Sequence, residues 1–214
     1  MNTSVATLES KLPTATPCVR QMLGLYTLKQ WFIGRLTPVV NVAVTRGISP
    51  DAFTAAGVVA AGAAAVAIAF GCWPPAALFL VLRLAGANLD GAVARARGVS
   101  RPWGFVLNEV GDRASDLVVF AGLAWLAAAT GGPVALVAAA AVAATLPTFA
   151  ALAAAGAGAA RRNGGPVGKT ERCALVVVAT AWPAALAVVC GAVVVGSLAT
   201  AVARLVAAHR ELAR

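Results

Sequence analysis

The chain is 214 residues long, 60% hydrophobic and 12% charged, with a mean hydropathy of +0.84. Soluble domains carry about 25% charged residues, so this composition excludes an ordinary soluble domain and predicts one all-α integral membrane domain. The formal net charge of +9 does not indicate nucleic acid, because the basic residues stand at the ends of apolar runs; anionic membrane lipids are the expected partner surface.

Residues 1–22 show no clear periodicity and are expected to be a flexible N-terminus. They lack the apolar core and cleavage site of a signal peptide, which predicts a cytoplasmic N-terminus. Residues 23–48 mix Trp31, Phe32, Leu36, Val39 and Val40 with Lys29, Arg35 and Arg46, the pattern of an amphipathic segment lying in the membrane interface. Pro38 is expected to break that segment in two. Ser49 then caps the first spanning helix, with Pro50 in its first turn and Asp51 in a structural role beside the free amides.

Spans are predicted at 52–71, 75–97, 104–129 and 133–158, separated by turns rich in Gly and Pro. The uncharged stretch between Arg172 and Arg204 would measure about 46 Å as one helix, too long for a hydrocarbon core of about 30 Å. Two helices with a break between Pro183 and Gly191 are expected, giving six spans within residues 49–210 and a tail at 211–214. Basic residues gather in the second and fourth connections and at the C-terminus, which places both termini on the cytoplasmic side. The Ala- and Gly-rich faces, Gly57 and Gly62 among them, allow close helix packing and are also a candidate homodimer surface. Cysteines 18, 72, 173 and 190 have no paired spacing, so neither a disulfide framework nor a zinc site is indicated.

Half of the chain's eight acidic residues, Asp90, Glu109, Asp112 and Asp116, fall between Ala87 and Asp116 within apolar sequence. Charges at membrane depth are costly and commonly face a cavity, a cation or a pathway. At 100° per residue Asn108, Glu109, Asp112 and Asp116 lie within about a 100° arc of the third span. Arg83 and Asp90 share one face of the second span, and Asn88 points to the opposite side. Counted from the helix ends, Asp90 and Asp112 come out level and shallow. Arg83 and Asp116 come out deeper, a candidate buried ion pair of structural character.

Asp90-Gly91, Ala94-Arg95, Gly104, Asn108 and Asp112 stand at a spacing that resembles the CDP-alcohol phosphatidyltransferase family, whose motif is DxxDGxxAR, eight residues, GxxxDxxxD. Ser49, Pro50, Asp51 and Thr54 resemble the start of the first helix in that family. Ala87 and Asn108 stand where the motif has its first and third aspartates. The resemblance implies transfer of a phosphatidyl or related phospho-alcohol group from a CDP-linked lipid or alcohol donor to an alcohol acceptor, with release of CMP. It also implies Mg2+ or Mn2+ on Asp90, Asn108 and Asp112, with Asp112 as the catalytic base. Gly91, Ala94, Arg95 and Gly104 would bind substrate, and Glu109 and Asp116 are candidate compensating acids. Arg113 could contact phosphate or pair with Glu109; Lys169 and Arg172 could contact headgroups or an acceptor phosphate, or serve topology alone. The alternative function is a catalytically degenerate relative that binds a CDP-lipid or a protein partner without turnover. A transporter is disfavoured because the acids cluster near one membrane surface, placed by the charge pattern at the cytoplasmic side of the cell's inner membrane. The segment RRNGGPVGKTER fails as a phosphate loop because Asn163 stands where a glycine is required.

Overall fold

The computed structural model describes residue 32 and residues 34–213. The expectations for residues 1–22, and those for Lys29 and Trp31 in the interfacial segment, lie outside the described residues. Within them the fold is all-helical: α1 (Thr37–Thr45), α2 (Pro50–Ala69), α3 (Trp73–Ala96), α4 (Pro102–Ala129), α5 (Val134–Gly156), α6 (Lys169–Ala181) and α7 (Leu186–Leu212), with a 3-10 turn at Pro183–Ala185. Pro38 sits in the first turn of α1, where its missing N–H costs no helical hydrogen bond. Ser49 caps α2 as its side chain accepts from the Asp51 amide at 3.3 Å.

Among the described residues four helical stretches are long and apolar enough to cross a membrane: Pro50–Ala69, Trp73–Ala96, Val134–Gly156 and Pro183–Leu212. Helix α4 has the length, at 28 residues, but it carries Glu109, Asp112, Arg113 and Asp116. Helix α6 is only 13 residues, and the break before α7 falls at Trp182–Ala185, beside the proline that cannot continue the helical ladder. The outer surface is strongly apolar, with Val59, Phe70, Trp125, Phe149, Val188 and Val195 all exposed. An aqueous surface rarely tolerates so many large exposed apolar groups, whereas lipid solvates them.

Helix α2 is wedged between α3 and α4 and makes the most extensive contacts in the fold, while α5 pairs with α7. Two glycines permit that wedge. A Cβ on Gly86 would stand 2.7 Å from the Phe53 carbonyl oxygen, and one on Gly122 would stand 2.8 Å from Cα of Ala65 while colliding with that residue's carbonyl oxygen. Gly57 lies at the α2–α3 crossing, whereas Gly62 faces open space and contributes nothing to this packing. Below the crossings Ile68, Leu80, Leu123, Val137, Val176 and Val193 close the core. This clamping brings the N-terminal ends of α2 and α4 beside the C-terminal end of α3, where the acidic stretch lies.

Candidate active site

The α3–α4 turn is tied to the chain before α2 by Arg97, which donates to the carbonyls of Gly47 (3.1 Å) and Ile48 (2.7 Å). Arg101 pairs with Asp51 across the same mouth. Between these ties lies a cavity of about 520 Å³ lined by Asp51, Thr54, Asp90, Gly91, Ala94, Arg95, Arg101, Gly104 and Asn108, among others. Six residues of the sequence-level site, Asp90, Gly91, Ala94, Arg95, Gly104 and Asn108, thus meet in one hollow. A Cβ at Gly91 would approach Nη1 of Arg95 to 3.1 Å, so the bare glycine leaves the guanidinium room to fold back over the helix.

Asp90 is buried, and both of its carboxylate oxygens accept hydrogen bonds. Its Oδ2 accepts from the Thr54 hydroxyl at 2.8 Å and from the Asn108 amide, and its Oδ1 accepts from the Gly91 backbone amide at 2.5 Å. A second, much smaller cavity of about 10 Å³ is bounded by Thr54, Arg83, Ala87, Asp90, Asn108 and Asp112. It shares Thr54, Asp90 and Asn108 with the larger cavity. Asp90 and Asp112 therefore line one hollow. Asn88 does not reach it; its side chain donates back to the Leu84 carbonyl at 2.6 Å.

Deeper along α4 the acids are held by cations. Asp116 accepts from Arg83 at 2.5 Å and from Arg172 at 3.0 Å, and forms an ion pair with Arg113 at 3.0 Å. The expected Arg83–Asp116 pair is thus present, and Arg83 also donates to the Cys173 sulfur at 3.3 Å. Lys169 pairs with Oδ2 of Asp112. Lys169 and Arg172, three apart on α6, face Asp112 and Asp116, four apart on α4, so the two helices present matched rows of charge. The pairing of Arg113 with Glu109 is not formed. Arg113 turns instead to Asp116, because Glu109 is taken by Arg161 from the loop after α5. Asp116 and Glu109 accordingly enter the site as counter-ions of arginine.

The loop after α5 is clasped to the end of α7. Glu211 accepts from Arg162 at 2.9 Å and from the Ala160 amide at 2.8 Å, and buried Arg204 donates to the carbonyls of Pro147, Asn163 and Gly164. Glu211 is therefore a working part of α7. The clasp delivers Lys169 at the first turn of α6, whose Gly168 amide is capped by Glu171 at 3.0 Å. Sequence reasoning had Thr54 only as part of a resemblance and Arg204 only as a topological charge.

No family model matches the sequence. The curated relatives give a direct answer. The phosphatidylinositol phosphate synthase of Mycobacteroides abscessus is 33% identical over 163 residues, covering 73% of this chain and 72% of the relative. That of Mycolicibacterium smegmatis is 34% identical over 145 residues, covering 66% and 65%. The chain belongs to the CDP-alcohol phosphatidyltransferase family. Solved structures agree: the Mycobacterium tuberculosis phosphatidylinositol phosphate synthase with CDP-DAG bound superposes with a TM-score of 0.67 at 29% identity, covering 80% of this chain and 92% of that one. The same enzyme in complex with manganese and citrate also gives 0.67, covering 81% and 88%. The protein is thus an integral membrane transferase of phospholipid biosynthesis, acting by CDP-alcohol phosphatidyl transfer.

Members of the CDP-alcohol phosphatidyltransferase family with the full motif have four carboxylates where this chain has two. Among the described residues no three His, Cys, Asp or Glu side chains form a metal-holding group. The small hollow nevertheless offers Asp90, the amide oxygen that Asn108 presents when its side chain is turned over, and the carboxylate of Asp112. Its 10 Å³ is room for a single water-sized particle. Hard divalent ions take oxygen donors of this kind, so the residues fit one such ion.

Proposed function

We propose that this chain moves a phosphatidyl group from CDP-diacylglycerol to a phosphorylated inositol at the cytoplasmic face of the inner membrane. The observation that carries this is the shared wall of the two cavities: Asp90 and Asn108 border both the hollow that fits a cation and the larger hollow that contains Gly91, Ala94, Arg95 and Gly104. The donor class and the acceptor are taken from the relatives that make phosphatidylinositol phosphate and from the relative solved with CDP-DAG.

In this reading the cytidine diphosphate enters beside Gly91 and Ala94, whose small side chains leave the helix backbone approachable. Arg95 offers a planar pair of donors to phosphate oxygens. When bound, Mg2+ or Mn2+ supplies positive charge to the pyrophosphate and to the departing CMP. Asp112, whose Oδ2 pairs with Lys169, is the carboxylate that takes the proton of the acceptor hydroxyl. The hydroxyl oxygen forms a bond to the phosphorus bearing diacylglycerol as the bond to CMP breaks. Arg83, Arg113, Lys169 and Arg172 carry four positive charges against the two of Asp112 and Asp116. That excess favours an acceptor with its own phosphate over a neutral polyol.

Six crossings, with α4 and α6 completing the set, keep the site and both termini on the cytoplasmic side; charge placement supports this arrangement. Mass spectrometry of the lipid formed by purified protein in liposomes tests the function. CDP-diacylglycerol with inositol phosphate should yield phosphatidylinositol phosphate. Product from free inositol alone, or from neither acceptor, would overturn the assignment.

A further inference from the structure

We propose that the centre of this enzyme holds one divalent ion, and that the ammonium of Lys169, fixed on Asp112, is a permanent positive charge beside it, making Lys169 a positioning residue of the metal site. The inference rests on the proposed function for the site's location and deepens it in ion count.

Three observations converge. The first is charge. Four carboxylates at motif positions 87, 90, 108 and 112 would offset two divalent ions, whereas Ala87 and Asn108 leave at most the two charges of Asp90 and Asp112, beside Arg83 in the same lining. A second ion would leave a surplus of two positive charges in a partly buried site before Lys169 is counted, a cost no nearby free carboxylate relieves. Among the described residues, the neighbouring acids Glu109 and Asp116 are already bound by Arg161 and by Arg83, Arg113 and Arg172.

The second observation is space. The hollow bounded by Thr54, Arg83, Ala87, Asp90, Asn108 and Asp112 has only about 10 Å³ free, so a second ion would have to lie in the larger cavity, whose wall includes Asp90 but not Asp112. The third is occupancy of the donor atoms. Lys169 pairs with Oδ2 of Asp112, so the charge of that carboxylate is already shared with a side-chain cation. The chain goes to some length to hold the lysine there: Glu171 caps Gly168, and the Val167 amide donates to the Thr200 hydroxyl at 3.2 Å. Lys169 comes from 57 residues along the chain, yet it meets the aspartate that a second ion would otherwise share. A monovalent side-chain cation takes that place without needing further ligands.

Mn2+ binding to the purified full-length chain in lipid nanodiscs tests this without turnover, by equilibrium titration and electron paramagnetic resonance. Wild type should bind one Mn2+ per chain, with the resolved hyperfine pattern of an isolated ion. Lys169→Met, which frees Oδ2 and removes the neighbouring charge, should tighten Mn2+ by about tenfold or more even if the gap is screened like bulk water. Lys169→Arg keeps the charge and should retain wild-type affinity. Adding Ala87→Asp and Asn108→Asp to Lys169→Met should raise the stoichiometry to two and give a spin-coupled spectrum. Wild type binding two ions, or binding none, would overturn the inference, as would unchanged affinity in Lys169→Met. Formation of the lipid product is scored separately, so a two-ion result leaves the proposed function standing while ending this one.

Discussion

Replacing Asp116 by Asn removes a single charge from the most densely paired point of the bundle. Arg83 and Asp116 are almost wholly enclosed, with side chains 2% and 6% exposed, and Arg113 and Arg172 share the same carboxylate. The amide would leave three guanidinium groups facing one another without an anion. Breaking a buried pair by removing one partner costs about 3–5 kcal/mol, because the remaining charge stays desolvated. For a chain of this size each kcal/mol moves the melting midpoint by about 2–4 °C, so the midpoint should fall by roughly 6–20 °C. Tryptophan fluorescence of the protein in nanodiscs, heated at one fixed rate, would read the shift. The double variant Arg83→Met with Asp116→Leu, which removes both ends of the main pair, should lose less than Asp116→Asn alone. A shift below about 2 °C for Asp116→Asn, small on that scale, would refute the claim that this carboxylate neutralises the cluster.

Three further outcomes follow from the packing and the cavity wall. Gly122→Val should prevent α4 from seating on Ala65 of α2 and cost about 1–3 kcal/mol or more, read as a lower melting midpoint, while Gly62→Ala should change it little. Arg95→Ala should weaken CDP-diacylglycerol binding by about tenfold or more, a loss of one charge-assisted contact, in a fluorescence competition titration. Arg97→Ala should loosen the turn before α2, seen as faster hydrogen exchange at Gly47 and Ile48 with α5 and α7 unaffected.

Local features of the fold were legible in the sequence wherever a single segment carries the signal. Ser49 and Pro50 mark the start of α2, and Pro183 marks the break between α6 and α7, because capping and proline geometry act within one turn. The stripe on α4 and the face of α3 shared by Arg83 and Asp90 follow from helical periodicity, so the Arg83–Asp116 pair could be anticipated. Contacts between distant segments were not legible. Nothing about Thr54 announces that its hydroxyl will hold Asp90, 36 residues on. Lys169 and Asp112 were both singled out, yet their partnership depends on how a loop folds back on α7. The same loop brings Arg161 to Glu109, and Arg113, deprived of that partner, turns to Asp116. Arginines such as Arg204 read as topological markers because charge at the end of an apolar run has the same appearance whether it meets water or, as here, the carbonyls of a loop.

The motif departures have a structural counterpart in the site itself. Ala87 leaves part of the small hollow open, and Asn108 donates to Asp90 where an aspartate would repel it. Relative to the full motif, these two residues lower the negative charge of the centre.

Acceptor-dependent release of CMP from CDP-diacylglycerol, measured side by side for wild type, Asp90→Asn and Asp112→Asn in the same liposomes, tests the central claim most directly. Wild type should release CMP only when acceptor and divalent ion are both present, and each variant should fall by about a hundredfold or more, as loss of a metal ligand or a general base does. Equal rates in wild type and both variants would contradict the placement of the reaction between α3 and α4.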